Sequence, residues 1–306
     1  MTLYFNDTSS GDGDWGNINN WWDQAGGGMG NNYFPSTGDT LYIETNCYTG
    51  IPSTLSYYII NDATFTINNS PAIASGYSFT NNNLIINNGT ITNIGTFTNT
   101  GTFDNNSTFF STGTTSNAGG TFNNTVGAFT IVEGNFTNSG NFSNGGALTI
   151  NTGGSFINTD TITNTDTITN AGGTFTNNSV FTSNNTFTND NGAFTNNGTF
   201  TSNSTFTNSG VYNNNSTFTN NGTFDNTNIF TNTATFNNNS AFVNGGTVAN
   251  NGTTTIASAA LLSLRPTASF INNGTFVFGS KYTTRFKGEI FPQVPSSAAF
   301  GTAILF

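Results

Sequence analysis

The chain has 306 residues, of which 36 are Gly, 31 Phe and 6 Pro, and only 6% are charged, giving a net charge of −10; an ordinary globular chain carries about 25% charged residues. It has no histidine, which removes the commonest general base, the usual metal ligand and the Ser-His-Asp and Cys-His nucleophile systems. Its single cysteine, Cys47, excludes an intrachain disulfide.

The N-terminal run Met1 to Asp7 carries neither the basic start nor the apolar stretch of a secretory signal. No segment of the chain approaches the roughly 18 apolar residues needed to span a membrane, so no membrane insertion is expected. Residues 1–49 do not repeat, and they hold all three tryptophans, Trp15, Trp21 and Trp22. They also hold six acids: Asp7, Asp12, Asp14, Asp23, Asp39 and Glu44. This segment reads as an N-terminal cap or entry segment.

From about residue 50 to 280 an apolar residue, usually Phe, returns every six positions. The register runs through Phe79, Ile85, Ile91, Phe97, Phe103 and Phe109, and an irregular stretch follows at Thr114 to Gly120. It resumes at Phe129, Phe136, Phe142, Leu148, Phe156, Ile162, Ile168, Phe175, Phe181, Phe187, Phe194, Phe200, Phe206, Tyr212, Phe218, Phe224, Phe230, Phe236, Phe242 and Val248. The early steps are 7-6-6, 8-6-6, 7-6-6 and 7-6-6, so the long step always falls on the same member of a triplet. Three hexads therefore make one coil of about 18–20 residues with one corner that tolerates insertion. The fold class that follows is all-β: a single-stranded, three-sided β-solenoid (β-helix) with a stacked Phe core and its handedness unassigned. Disorder is poor in aromatic and β-branched residues and would not keep Phe in register between Thr residues; a β-sandwich would show uneven spacing.

Within a hexad such as Gly-Thr-Phe-Thr-Asn-Asn, three extended residues suffice for a wall, with Phe inward and its Thr neighbours outward. Asn and Gly then supply the corner, because both tolerate the left-handed conformation of a sharp turn. Stacked corner Asn side chains can bond to one another as ladders. Within one wall Phe187, Phe206, Phe224 and Phe242 are expected to form a continuous column.

Near Ala257 the sequence Ala-Ser-Ala-Ala-Leu-Leu-Ser-Leu breaks the hexad before Phe270 and Phe276 resume it. Residues 1–264 contain thirteen acids and no base, and the four bases Arg265, Lys281, Arg285 and Lys287 all follow. Residues 281–306 read as a basic, apolar assembly segment ending in Ile304, Leu305 and Phe306. Opposite charges would bring this end to the acidic, Trp-bearing end of another copy. The expected interface joins Asp12, Asp14, Trp15, Trp21, Trp22 and Asp23 to Lys281, Arg285, Lys287, Ile304, Leu305 and Phe306. A contact between different ends propagates as an open head-to-tail homopolymer.

The string Asp14-Trp15-Gly16-Asn17-Ile18-Asn19-Asn20-Trp21, followed by Pro35-Ser36-Thr37-Gly38-Asp39-Thr40-Leu41-Tyr42-Ile43, resembles the entry segment of large bacterial β-solenoid surface proteins and adhesins. There a W-x-N-x-x-N-W stretch and a P-x-x-G-D-x-apolar-x-I stretch precede the coils. The resemblance implies a solenoid with a structural or adhesive role at a surface.

No P-loop, dinucleotide Gly pattern or EF-hand loop is present. Asp160 and Asp166 fall on consecutive faces and Asp104 and Asp225 lie far apart along the chain, which does not suit paired acid and base work. The chain is accordingly not expected to be an enzyme or to bind a cofactor or metal. The acidic coil region would repel nucleic acid. The leading reading is a structural or adhesive subunit of an extracellular fibre or appendage, its partners being further copies of itself and a cell-surface or glycan receptor. The location that fits is extracellular or on a virion surface. Alternatives are a virion tail-fibre-type or carbohydrate-binding solenoid, and ice binding through Thr-x-Thr arrays. Against the last, the wall bearing Ile168, Phe187 and Phe206 is interrupted by Ala128, Ala147, Asp225 and Val243. The many Asn-x-Ser/Thr triplets are what any Asn/Thr-rich repeat generates by chance.

Overall fold

The recurring tetrad Thr-Phe-Thr-Asn combines strong strand formers with an alternating pattern, and in a computed structural model of the protein it forms four-residue strands such as Thr174–Asn177, Thr205–Asn208 and Thr217–Asn220. The structure describes residues 1–7, 11–25 and 32–279. Among them there is no α-helix, and the only helical turn is the 3₁₀ segment Ile18–Asn20. The strands sort into three sheets, taken in turn as the chain proceeds, so each circuit contributes one strand to each of three walls. Two compact units result: Met1–Thr149 with Gly153–Phe156, and Ile150–Thr152 with Ile157 onward.

In unit 1 the first wall stacks Thr40–Ile43, Tyr58–Asn61, Ser78–Asn81, Thr96–Asn99, Thr114–Asn117 and Asn135–Asn138 in parallel. Thr2–Phe5 adds to its N-terminal edge, parallel to Thr40–Ile43, and carries Trp21–Trp22 antiparallel on its other side. The second wall aligns Phe65, Ile85, Phe103, Phe122 and Phe142. The third aligns Ile91, Phe109 and Thr130. In unit 2 the corresponding columns are Phe175–Phe194–Tyr212–Phe230–Val248, Ile162–Phe181–Phe200–Phe218–Phe236, and Ile168–Phe187–Phe206–Phe224–Phe242. The expected column of Phe187, Phe206, Phe224 and Phe242 is thus present, with ring centroids 4.8–4.9 Å apart and planes within 8°. Coil length is 18 residues from Phe206 to Phe224 and reaches 22 from Val248 to Phe270, slightly beyond the range expected.

Three details differ from the sequence reading. Thr114 to Gly120 is not irregular: Thr114–Asn117 is an ordinary strand, with Thr115 in the core below Phe136 and above Phe97. Phe129 is not a core residue but 54% exposed, and Thr130 occupies the inward place above Phe109. The backbone ladder sets the register here, and Thr130 is tolerated inside because its hydroxyl donates to Asn124 Oδ1 at 3.0 Å.

The third difference is the role of Asn. The residue two after Phe is in most coils the last of the strand, shares the inward parity of Phe and is fully buried at Asn99, Asn124, Asn189, Asn208 and Asn226. Its amide donates to the next coil's Asn, as from Asn81 to Asn99 (2.7 Å), Asn189 to Asn208 (2.7 Å) and Asn208 to Asn226 (2.7 Å). The expected corner ladders exist as well, on the outside, at Asn184–Asn203–Asn221–Asn239. Many corner glycines do not need a left-handed backbone. Gly222 is required by proximity, since a Cβ there would collide with the carbonyl of Ser204 in the coil beneath. Among the described residues positive φ occurs at nine glycines, such as Gly127 at 80° in a lengthened corner, and at Asn191 at 55°.

Candidate functional site

The residues expected to form an acidic, aromatic end are largely committed to folding the entry segment. Trp21 is fully buried and Trp15 is 4% exposed. The indole N–H of Trp21 donates to the Trp15 carbonyl at 2.8 Å, and the two rings meet edge to face at 4.7 Å. Phe5 packs on Trp21 at 5.1 Å, and Phe65 of the first coil packs on Trp15 at 6.2 Å. Together they close the apolar interior of unit 1 at that end. Trp22 is half-buried and donates to the Asn6 carbonyl at 3.3 Å. Of the three tryptophans it alone keeps appreciable ring surface.

Asp12 and Asp14 shape the loop before the 3₁₀ turn. Asp12 accepts from the Asp14 backbone N–H (3.0 Å), from Asn20 Nδ2 (2.7 Å) and from Asn17 Nδ2 (2.7 Å). Asp14 accepts from the Gly16 N–H at 2.9 Å, and Asp23 is half-exposed beside Trp22 in sequence. Lys281, Arg285, Lys287, Ile304, Leu305 and Phe306 lie outside the described residues.

Sequence reasoning missed a surface at the outer face of the first wall in unit 1. Tyr4 and Tyr42 occupy one outward column with Ile60, and their rings stack at 5.2 Å with an 18° interplanar angle. Tyr58 lies in the adjacent column, 43% exposed, with Tyr77 at 5.4 Å. The signal was available: seven of the nine tyrosines precede residue 78, and Tyr4, Tyr42 and Tyr58 stand where later coils carry Thr or Ser.

The carboxylates of the coils are engaged structurally. Asp160 and Asp166 accept from the hydroxyls of Thr161 and Thr167 at 3.1 and 3.2 Å, and Asp104 from Asn123 Nδ2 at 2.8 Å. Asp225 pairs with Arg265 at 2.7 Å. On the second wall of unit 2 outward Thr pairs recur at Thr161/Thr163, Thr199/Thr201, Thr217/Thr219 and Thr253/Thr255, but Val180, Asn237 and Val277 break the columns. Among the described residues no cluster of three or more potential ligands could hold a metal, and no helix is long and apolar enough to cross a membrane.

Two buried titratable groups stand apart. Burial, then the nearby charges of Asp14 and Asp7, push the Cys47 thiol well above its usual range. Burial alone does the same to the Tyr212 phenol, whose hydroxyl lacks a hydrogen-bond partner inside the column between Phe194 and Phe230. Tyr212→Phe should therefore raise stability by about 1–3 kcal/mol, the cost of an unsatisfied buried hydroxyl. Because the folded pKa is raised, the unfolded chain releases this proton first. Stability is fully present below the ordinary phenol value of 10.0 and falls as pH rises above it. Denaturant titrations from pH 8 to 11 should show a flatter alkaline decline in the Phe variant.

No curated protein and no solved structure matches the chain. The haemagglutinin repeat family matches residues 58–130, 125–228 and 229–275, which is most of the coiled region and well over half the protein. Parallel three-walled coils with an inward apolar residue, usually Phe, and an inward Asn in most strands, recurring across all three matched stretches, agree with that assignment, and the chain belongs to the haemagglutinin repeat family.

Proposed function

We propose that the protein is a structural, adhesive subunit of an extracellular fibre or surface appendage and that copies assemble head to tail. The haemagglutinin repeat is of the structural, adhesin-like surface type, and this match is the observation that carries the adhesive reading. A fold alone does not define a function, but the use of side chains here points the same way. Inward groups are consumed by Phe columns and Asn ladders, and the outer faces are mostly Thr, Ser and Asn. Such walls suit a display scaffold that resists nonspecific association while presenting local contact sites.

Head-to-tail assembly is supported by the distribution of charge, with thirteen acids and no base in residues 1–264 and all four bases after them. Solenoid ends carry unpaired backbone groups that pair with another chain unless covered. Electron microscopy and light scattering of the intact protein should show filaments at low salt. They should shorten when residues 296–306 are deleted or when Lys281, Arg285 and Lys287 become Glu. Monodisperse particles at both low and moderate salt would remove the filament from this reading.

A further inference from the structure

The burial of Trp15 and Trp21 means that they cannot supply the aromatic surface of an assembly contact without unfolding the entry segment. An aromatic face with surface to offer lies elsewhere in unit 1, on the first wall. Tyr4, Tyr42 and Ile60 align in one outward column, and Thr2, Thr40, Tyr58 and Ser78 in the next. Inward residues of the same strands, Leu3, Phe5, Leu41, Ile43 and Ile59, are buried, so the tyrosine rings stand on a rigid support.

Glu44 and Asp62 border this face at equivalent corners of consecutive coils: the Glu44 N–H donates to the Phe5 carbonyl, and the Asp62 N–H to the Ile43 carbonyl. Like charges one coil apart repel, and the surface around them is short of cations. Residues 1–264 have no basic side chain. The N-terminal ammonium is held by Asp39 at 2.7 Å, and Arg265 by Asp225 at 2.7 Å. A face of tyrosine rings bordered by carboxylates is complementary to ammonium and guanidinium groups, which sit over ring faces and gain from nearby negative charge. The one concentration of such groups in the chain is Lys281, Arg285 and Lys287.

From this complementarity we infer that the Tyr4–Tyr42–Tyr58–Tyr77 face of one copy receives the basic segment 281–287 of a second copy. The assignment rests on the head-to-tail reading and gives that reading a specific surface: cations of one copy lie against tyrosines of the next, with Glu44 and Asp62 at the border.

The test uses the full chain and measures the concentration at which it assembles, by light scattering at low salt. Tyr42→Ser with Tyr58→Ser should raise that concentration about tenfold, as expected for losing two cation–ring contacts. Lys281→Glu, Arg285→Glu and Lys287→Glu together should raise it further, with shorter filaments, and adding Glu44→Lys and Asp62→Lys to those three should bring it back. Unchanged circular dichroism and denaturant midpoint in the tyrosine variant would establish that the fold is intact. If the intact protein does not assemble, the filament reading fails and this surface fails with it. If the intact protein assembles, but the tyrosine variant assembles equally well or the charge swap gives no rescue, the filament stands and the tyrosine face is not its contact. That result would leave the face to another occupant, such as a glycan or an unrelated protein.

Discussion

Phe206→Ala should destabilise unit 2 by about 3–5 kcal/mol, the range for truncating a large aromatic in a close-packed core. Phe206 is fully buried and stacks between Phe187 and Phe224 at 4.9 and 4.8 Å. It also meets Phe200 and Tyr212 edge to face at 5.3 and 5.2 Å. The cavity left by truncation cannot close easily. Spacing along the column is set by backbone hydrogen bonds between coils, about 4.8 Å per step, and the rings on the other two walls are held by columns of their own. Denaturant unfolding should show a lower midpoint for Phe206→Ala and a smaller loss for Phe206→Leu, which fills more of the site. Thr207→Ala, at the neighbouring outward position, should cost about 0.5 kcal/mol or less. Equal losses for Phe206→Ala and Thr207→Ala would contradict the core described above.

The period of six made the walls legible because every strand and corner together occupy one hexad, and a lengthened corner only delays the next return. That is why the column of Phe187, Phe206, Phe224 and Phe242 could be placed from spacing alone. At position 129 the period, and not the aromatic side chain, is the guide to the core. Counting back six from Phe136 gives Thr130, and counting on six from Phe109 gives Thr115; both are inside. In each case the hydroxyl is hydrogen-bonded, Thr130 to Asn124 and Thr115 with Ser111 at 2.9 Å. A polar residue can therefore hold a Phe place when a ladder amide or hydroxyl lies within reach. Parity also contained the inward direction of the strand-final Asn, two residues after Phe, but assigning Asn to the corner concealed it. The entry segment was harder to read for a different reason. It has no repeat, so no period tells whether Trp15, Trp21 or Tyr42 faces in or out, and only the three-dimensional arrangement separates the buried tryptophans from the exposed tyrosines.

Asn208→Ala should cost about 2–4 kcal/mol, although it removes no more than an amide. Asn208 is fully buried, and its Nδ2 donates to Asn226 Oδ1 at 2.7 Å and to the Ile229 carbonyl at 2.8 Å, while its Oδ1 accepts from Asn189 Nδ2 at 2.7 Å. Alanine leaves two acceptors without this donor, the buried Asn226 Oδ1 and the part-buried Ile229 carbonyl, at about 1–3 kcal/mol for a buried group left unpaired. Asn189 Nδ2 suffers less, because it also reaches the carbonyls of Gly192 and Val211 at 3.1 and 3.0 Å. The second wall of the same unit suggests how the position can be relaxed. Ser183 stands in its ladder, accepts from Asn164 Nδ2 at 3.0 Å and passes its own proton to the Asn185 carbonyl at 2.9 Å. Serine is too short to bridge onward, and after Ser202 the Oδ1 of Asn220 is left without a partner. Asn208→Ser should thus fall between wild type and alanine, at about 1–2 kcal/mol, because it can still receive the Asn189 amide but cannot serve Asn226. Equilibrium unfolding of the three proteins should give the order wild type, Ser, Ala. A loss for Asn208→Ala no larger than that for Thr207→Ala would mean that the amide ladder adds nothing beyond the Phe columns. The predicted order would mean instead that each coil is held to the next by two independent inward rows, one apolar and one polar.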